Sequence, residues 1–421
     1  MPRTYEQTLA TLYALEAKKG MDFRLSRLDP VLDRLGHPEK SFACVHVAGT
    51  NGKGSTSAMI DAALRAGGHR TGLYTSPHLV SFRERIRTNG EPISREAVVR
   101  HAATVLDADD DRGAGLTFFE IVTLAAFLEL REREVEIAVI EVGLGGRLDV
   151  TNVVHGDVAV ITSIAIDHAA FLGDTLAEIA FEKVGILEPG AVLVTGALPD
   201  EAMEVVESRA ADLGARHLAF GRDFGEMSQM RSAQRGGEAM AGLHQARNAA
   251  VAAAAVRALG PRFGVDPRVR DRAIVSARWP GRLELTRRRR GDGPLVLDAA
   301  HNPEAARALA ASLDEVAPSR PRVLVFAAMA DKDWPAMLAA LAPAFDSVVF
   351  APLPMSRAED PHRFLEAVPG GVVAQDAEAA LELAEALASA HGSIVVSGSI
   401  FLLGHLYRIA GGTLLEDDLV D

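Results

Sequence analysis

A glycine-rich segment with one lysine and one serine offers the clearest chemistry in this sequence, and it reads Gly49-Thr50-Asn51-Gly52-Lys53-Gly54-Ser55. It lies between a predicted strand at 43–48 and a predicted helix at 57–64, the context that a phosphate-binding loop requires. Its glycines let successive N–H groups point at phosphate oxygens, and the helix N-terminus adds positive potential. Lys53 would supply a point charge for the β- and γ-phosphates, and Ser55 a hydroxyl near a metal ion. A glycine-rich turn without this function is the alternative, since Gly54 separates the lysine from the serine.

Polar residues follow three apolar predicted strands. The strands and the residues after them are 71–75 with Ser76, 137–140 with Glu141, and 158–164 with Asp167 and His168. In an open parallel sheet, ligands collect beyond the carboxyl ends of the strands. Carboxylate and hydroxyl oxygens suit Mg²⁺, which also binds nucleotide phosphates. Each of these residues could instead be an ordinary strand end that faces solvent.

Four further charged residues lie in segments that could position them at a site. Lys183 lies in a predicted helix at 178–187, where the pattern alone favours an exposed lysine. Glu120 is embedded in a nearly all-apolar predicted helix, where a charge needs a partner, so it either forms a salt bridge or faces a ligand. Arg147 and Asp149 follow Glu141 in a glycine-rich loop, where both could face substrate.

A second polar motif, at 298–303, joins a predicted strand to a predicted helix. Asn302 is a suitable N-cap and Pro303 a suitable first helical residue, so part of the motif is structural. That explanation leaves Asp298 and His301 without a purpose.

Together these segments resemble the folylpolyglutamate synthase/dihydrofolate synthase family, which is part of the Mur ligase superfamily. The loop alone would indicate only a nucleotide enzyme, whereas the ordered series is specific. The matching stretches are 45–55, 75–79, 84–86, 117–120, 141–149, 151–152, 161–164, 167–168, 182–183, 244–245, Asn248, 279–284, 298–303 and 331–333. Three positions depart from the usual pattern of the family: Val150, where Ala is more usual, and Ala299 and Ala328, where Gly is more typical.

The resemblance implies a role for each candidate residue. Ser76, Glu141 and His168 would bind Mg²⁺, although a histidine is an unusual ligand for so hard a cation and a capped core histidine is the alternative. Lys183 aligns with a lysine that is carbamylated, which requires a neutral amine near the metal. The residues that would contact ATP outside the loop are Asn248 at the adenine, Arg282 at the phosphates, and Asp298 and His301 from the second domain.

The implied reaction is ATP-driven amide formation. A folate or dihydropteroate carboxylate would attack the γ-phosphate, and the amine of L-glutamate would then attack the resulting acyl phosphate. Lys53, Lys183 and His168 would be the catalytic residues, and Glu120, Arg147 and Asp149 would face the acid substrate. Two rivals remain: a Mur-type ligase that adds amino acids to a nucleotide-linked peptide, and a phosphate-loop switch that hydrolyses nucleotide without an acid substrate.

Alternation of strands with helices predicts an α/β fold with parallel, doubly wound sheets. We expect an N-terminal phosphate-loop domain at 1–284 and a smaller, Rossmann-like C-terminal domain at 285–421. The segment 279–293 is a plausible linker, and its basic run Arg287-Arg288-Arg289-Arg290 reads as a solvated turn.

Composition narrows the classes of function. The chain has 421 residues, enough for two domains, and a formal net charge of -13, which argues against a nucleic-acid binder. Its one cysteine, Cys44, lies in an apolar run and reads as a buried residue in a reducing compartment. Neither a signal peptide nor a membrane span is expected, so we expect a cytoplasmic protein, and a monomer.

Overall fold

The structure, a computed structural model, describes residues 3–19, 24–235 and 239–407. The first sheet has eight strands in the order β4-β3-β2-β5-β1-β6-β7-β8. All neighbours from β2 to β8 in that order pair in parallel, and β3 and β4 form an antiparallel edge. The strands are β1 (Ala43–Ala48), β2 (Thr71–Tyr74), β3 (Ile86–Thr88), β4 (Glu91–Pro92), β5 (Ile137–Glu141), β6 (Val158–Ile161), β7 (Val192–Thr195) and β8 (Arg216–Ala219).

Helices cover both faces of this sheet, which is why β1 is buried along its whole length. Val45 and Val47 of β1 pack into one apolar cluster, whereas Cys44 packs into another. The helices are α1 (Tyr5–Lys19), α2 (Asp29–Leu35), α3 (Lys53–Ala66), α4 (Arg95–Arg112), α5 (Phe118–Glu132), α6 (Ala169–Leu172), α7 (Leu176–Val184), α8 (Asp200–Asp212), α9 (Ser228–Arg235), α10 (Leu243–Ala258) and α11 (Pro267–Ser276).

The second sheet has six strands in the order β13-β12-β11-β14-β10-β9. Its strands pair in parallel except β9, which runs antiparallel to β10 at one edge. The strands are β9 (Glu284–Arg287), β10 (Pro294–Leu297), β11 (Arg322–Phe326), β12 (Ser347–Phe350), β13 (Val372–Val373) and β14 (Ser393–Ser397). The helices are α12 (Pro303–Val316), α13 (Trp334–Leu341), α14 (Ala377–Leu387) and α15 (Ile400–Tyr407).

Two mostly parallel α/β sheets therefore confirm the predicted fold class. The expected linker up to residue 293 is wrong, because Glu284–Arg287 is a strand of the second sheet. The solvated turn is wrong for Arg288, whose side chain is buried and whose Nη2 lies 2.7 Å from Glu385 Oε2. A boundary between 284 and 285 stays a prediction.

No helix within 3–19, 24–235 and 239–407 combines the length and the apolarity that a bilayer-crossing segment needs.

Candidate active site

The phosphate loop joins β1 to α3, and its shape depends on two glycines with positive φ, Gly49 at 147° and Gly52 at 83°. A Cβ on Gly49 would lie 1.9 Å from Oγ1 of Thr162. That hydroxyl donates to the carbonyl of Asn51 at 2.6 Å, so the residue that follows β6 supports the loop. Only glycine fits where backbone and neighbour approach so closely.

The ammonium of Lys53 lies over this loop. Its Nζ donates to the carbonyl oxygens of Gly49 at 3.0 Å and Thr50 at 3.3 Å. Burial lowers the pKa of Lys53, while the carboxylates of Glu141 and Asp167 oppose that effect. A cation held by carbonyl dipoles alone is available to an incoming phosphate.

Two clefts flank the loop. The first encloses about 370 Å³ and is lined by Gly49, Thr50, Lys53, Val142, Gly143, Leu144, Gly145, Asp167, His168, Leu172, Lys183 and His301. The second encloses about 480 Å³ and is lined by Gly54, Ser76, Pro77, Leu79, Glu84, Arg87, Glu141, Trp279, Pro280, Arg282, Ala299 and Ile400. Both clefts draw residues from the two domains, so each lies at the domain interface.

Ser76 and Glu141, two predicted metal ligands, meet in the second cleft. The backbone N–H of Ser76 donates to Oε2 of Glu141 at 3.2 Å. Burial raises the pKa of Glu141 to about 7, an effect that the nearby Lys53 ammonium reduces. A buried carboxylate beside a hydroxyl is a donor set that suits a hard divalent cation.

The other two predicted metal ligands, His168 and Lys183, lie in the first cleft. His168 has a φ of 53°, and its Nε2 lies 3.2 Å from Nζ of Lys332. Lys183 is 4% exposed, so the interpretation of an ordinary surface lysine is wrong. Burial, together with the charge of Lys53, lowers the pKa of Lys183 to about 7. A large neutral fraction of this amine is therefore present at physiological pH.

Asn248 of α10 also reaches the loop. Its Oδ1 lies 2.7 Å from the position that a Cβ would take on Gly52. Its amide donates to Gln245, which in turn donates to Oγ of Ser55 at 3.2 Å. Asn248, the residue predicted to lie at the adenine, thus contacts the middle of the glycine segment directly and its last residue, Ser55, through Gln245. On the opposite side, the indole Nε1 of Trp279 lies 2.8 Å from the Cβ position of Gly54.

Arg282 and His301 line one cleft each, whereas Asp298 lines neither of them. Asp298 is buried and accepts from the backbone N–H groups of Leu283 at 2.8 Å and Ala300 at 3.0 Å, so it shapes its own loop. Arg282 lines the second cleft, and its charge opposes the rise that burial causes in the pKa of Asp298. His301 lines the first cleft, where burial lowers its pKa to about 4.

The contacts of Glu120 support the salt-bridge alternative. Both of its carboxylate oxygens accept from Nη2 of Arg27, and Oε2 also accepts from Thr117, which caps α5. Its carboxylate is fully engaged within the N-terminal domain. A ligand-facing role for Glu120 has no support in these contacts.

Two charged residues of the glycine-rich loop after β5, Asp149 and Arg147, have hydrogen-bond partners within the protein. Asp149 is buried and accepts from the N–H groups of Leu144 and Thr151 and from the hydroxyl of Thr151. Arg147 donates to Glu182 at 2.7 Å and stacks over Phe181, while 42% of its side chain stays exposed. Arg147 therefore remains accessible from solvent, whereas Asp149 mainly fixes the loop.

Two residues connect the domains: Asp167, which the sequence predicted only as a polar residue at a strand end, and Lys332, which sequence reasoning did not single out. Asp167 Oδ1 lies 2.7 Å from Nζ of Lys332, and Asp167 Oδ2 accepts from Nδ2 of Asn302 at 3.1 Å. The sequence signal was present, because both residues lie in stretches that resemble the family. What the pattern could not show is that they meet.

Arg85 is a further candidate that the sequence did not single out. It is buried, its Nε donates to Nδ1 of His78 at 2.8 Å, and its guanidinium lies 5.4 Å above the ring of Phe118. Among the residues that the structure describes, no carboxylate lies within ion-pair distance of it. A buried cation without an acid partner is suited to bind an anionic ligand.

Comparisons with known proteins agree with this geometry. The Mur ligase middle domain model matches residues 47–256, and the Mur ligase glutamate ligase domain model matches residues 281–400. A curated dihydrofolate synthase/folylpolyglutamate synthase of Bacillus subtilis is 34% identical, over 93% of this chain and 96% of the relative. The chain belongs to the folylpolyglutamate synthase/dihydrofolate synthase family.

Solved structures of this synthase family share the whole fold. A Mycobacterium tuberculosis folylpolyglutamate synthase complexed with ADP matches with a TM-score of 0.88 at 32% identity, covering 97% of this chain and 99% of that one. A Yersinia pestis bifunctional enzyme complexed with AMPPNP and Mn ion matches with a TM-score of 0.86 at 31% identity, covering 97% and 99%. As a member of this family, the chain is an ATP-dependent ligase.

Proposed function

We propose that this ligase joins L-glutamate to the carboxylate of tetrahydrofolate, of dihydropteroate, or of both. The observation that carries the proposal is the placement of three ionisable groups around one phosphate loop at a domain interface: Glu141 and Lys183, which are buried, and Lys53, which is half-buried. Such buried, shifted groups in a cleft are characteristic of catalytic sites. The glutamate ligase domain and the synthase relatives supply the substrate class.

In the first step, an oxygen of the acid's carboxylate attacks the γ-phosphorus of ATP. The bond to the bridging oxygen breaks, which gives ADP and an acyl phosphate. Lys53 and Arg282 neutralise charge on the transferring group, since phosphoryl transfer depends mostly on positioning and electrostatics. Asn248, Asp298 and His301 complete the nucleotide site in this proposal, with Asn248 at the adenine.

In the second step, the amine of glutamate attacks the acyl carbon. Phosphate leaves, the amine loses a proton, and an amide bond remains. The placement of the clefts at the domain interface supports this step, because closure there would exclude water from the acyl phosphate. Arg147 and Arg85 are cations that could bind the carboxylates of the acid substrate. Asp149 and Glu120 would act on that substrate only through the loops and the helix that they hold.

Mg²⁺ fits the residues that are present. Ser76 and Glu141 would hold an ion with hard oxygen donors in the second cleft, and His168 would hold one with an imidazole nitrogen in the first cleft. When bound, the ion would neutralise phosphate charge and orient the nucleotide.

Carbamylation of Lys183 is part of the proposal, and the buried position of the amine supports it. With a pKa of about 7, roughly nine-tenths of the amine is neutral at pH 8, whereas an unperturbed lysine would be almost fully charged. The amine nitrogen would form a bond to the carbon of CO₂ and release one proton. A carbamate resonance in ¹³C spectra after incubation with labelled bicarbonate, lost in Lys183→Arg, tests this idea; a spectrum without it refutes it.

The decisive experiment measures phosphate release with ATP and glutamate in the presence of either dihydropteroate or tetrahydrofolate. We expect release to depend on both glutamate and one of these acids. Release that needs a nucleotide-linked peptide instead would indicate a Mur-type ligase. Release that needs no acid would indicate a nucleotide switch. A reducing, cytoplasmic location, supported by the buried free thiol of Cys44, and a monomeric state remain predictions.

A further inference from the structure

The C-terminal domain places one ammonium group beside a metal-ligand histidine of the other domain. Lys332 lies in the loop between β11 and α13, and its Nζ lies 2.7 Å from Asp167 Oδ1 and 3.2 Å from His168 Nε2. The side chains of Lys332 and Asp167 are 10% and 9% exposed. The contact is therefore a buried one, and it spans 164 positions of the sequence between lysine and histidine.

The chemistry of the contact fixes the state of the histidine. A lysine ammonium has three donors and no acceptor, so Nε2 of His168 must accept with its lone pair. The ring proton then belongs on Nδ1. A divalent cation bound by Nε2 would need the same lone pair, so Lys332 and the metal compete for one nitrogen.

Electrostatics add to this competition. An ammonium 3.2 Å from a ligand nitrogen repels a second cation at that nitrogen. The side chain of Lys332 is 10% exposed and that of His168 is 34% exposed, so solvent screens the repulsion only in part. Asp167 already has its two oxygens engaged, Oδ1 by Lys332 and Oδ2 by Asn302. The ammonium is therefore the group that must move when a metal arrives.

We propose that Lys332 is an interdomain positioning residue, whose ammonium competes with the metal ion for the lone pair of His168 and is displaced when the metal binds. The inference rests on the metal site of the proposed function. Under this proposal, metal binding and the position of the 329–333 loop affect each other. A change that frees the loop from His168 strengthens metal binding, and metal binding frees the loop.

Other bonds hold the two domains together independently of Lys332. Nδ2 of Asn51 donates to Glu304 Oε2 at 2.6 Å, and Nδ2 of Asn302 donates to Oδ1 of Asn51 at 2.9 Å. These bonds connect the same two surfaces without touching His168. Glu304→Ala therefore weakens the interface but leaves the competition for the imidazole intact, which makes it the matched control.

The test measures Mn²⁺ binding to the nucleotide-free protein by electron paramagnetic resonance and by titration calorimetry. Lys332→Met should bind Mn²⁺ at least about fivefold more tightly than the wild type, the lower end of ordinary coupling between sites. Lys332→Arg keeps the charge and should stay within about twofold of the wild type, as should Glu304→Ala. In a His168→Asn background, Lys332→Met should have a clearly smaller effect, because the contested nitrogen is gone and only the charge repulsion is left to remove.

A second readout follows the loop. Mn²⁺ should speed amide hydrogen exchange at 329–333 in the wild type, whereas Lys332→Met should exchange fast with or without the ion. Weaker or unchanged Mn²⁺ binding by a folded Lys332→Met would overturn the proposal. Neither measurement uses nucleotide or acid, so failure of the phosphate-release assay with folates is a separate result.

Discussion

Replacing Gly52 by alanine isolates the contact between the phosphate loop and α10. Gly52 has a φ of 83°, and its added Cβ would lie 2.7 Å from Asn248 Oδ1. Gly68 is the matched control, since its φ is 88° and nothing lies within 4 Å of its Cβ position. Both substitutions place an alanine in the left-handed region of backbone conformation, which costs about 1–2 kcal/mol. Any difference between them therefore reports the collision with Asn248.

The collision should displace the Asn248 amide from Gln245 at 3.1 Å, a bond worth about 1 kcal/mol. We therefore expect Gly68→Ala to cost about 1–2 kcal/mol and Gly52→Ala about 2–3 kcal/mol, measured by calorimetric unfolding. Affinity for a non-hydrolysable ATP analogue should fall at least about tenfold in Gly52→Ala and stay unchanged in Gly68→Ala.

A double mutant checks the steric cause. Asn248→Ala removes the colliding oxygen, so Gly52→Ala combined with Asn248→Ala should cost less than the sum of the two single substitutions. Equal stability and equal analogue affinity in Gly52→Ala and Gly68→Ala would refute the reasoning.

Three further predictions concern single groups. Lys53→Met should lower phosphate release at least about 100-fold while the unfolding temperature stays unchanged, because the ammonium bonds only to loop carbonyls. Glu120→Gln should cost about 3 kcal/mol in the free energy of unfolding, since it removes the buried carboxylate that pairs with Arg27, yet leave kcat/KM per folded molecule unchanged; a fall in kcat/KM would restore a substrate role. Burial lowers the pKa of His46 from 6.5 to about 3, so the unfolded chain binds a proton that the folded one does not, and stability falls as pH drops below 6.5. Between pH 6.5 and 5, the free energy of unfolding of His46→Gln should fall by roughly 1.5 kcal/mol less than that of the wild type in urea unfolding, and parallel pH profiles would contradict this.

The central strands were predictable because they are covered on both faces. The apolar run 43–48 predicts β1 with the bounds that the structure has, and 137–140 predicts β5 to within one residue. A continuous apolar run is a strong signal for a buried parallel strand. The two polar edge strands, β4 and β9, lack that signal, because an edge strand needs only one apolar face.

Buried charges were the least predictable feature. Arg288 lies in a run of four arginines, and its partner Glu385 is 97 positions away, so local composition indicated solvent. Lys183 follows the spacing of an exposed helix residue, yet α7 turns it into the first cleft. Helical periodicity reports which side of a helix is polar but not whether that side faces water or a cleft.

The placement of the two tryptophans, Trp279 and Trp334, has a practical consequence. Trp279 lies against Gly54 of the phosphate loop, whereas Trp334 begins α13 and donates to Glu359 at 3.0 Å, away from that loop. Intrinsic fluorescence of a Trp334→Phe protein would arise from Trp279 alone. The enzyme therefore carries its own optical reporter of nucleotide arrival, and loading can be timed in a stopped-flow instrument without an attached dye.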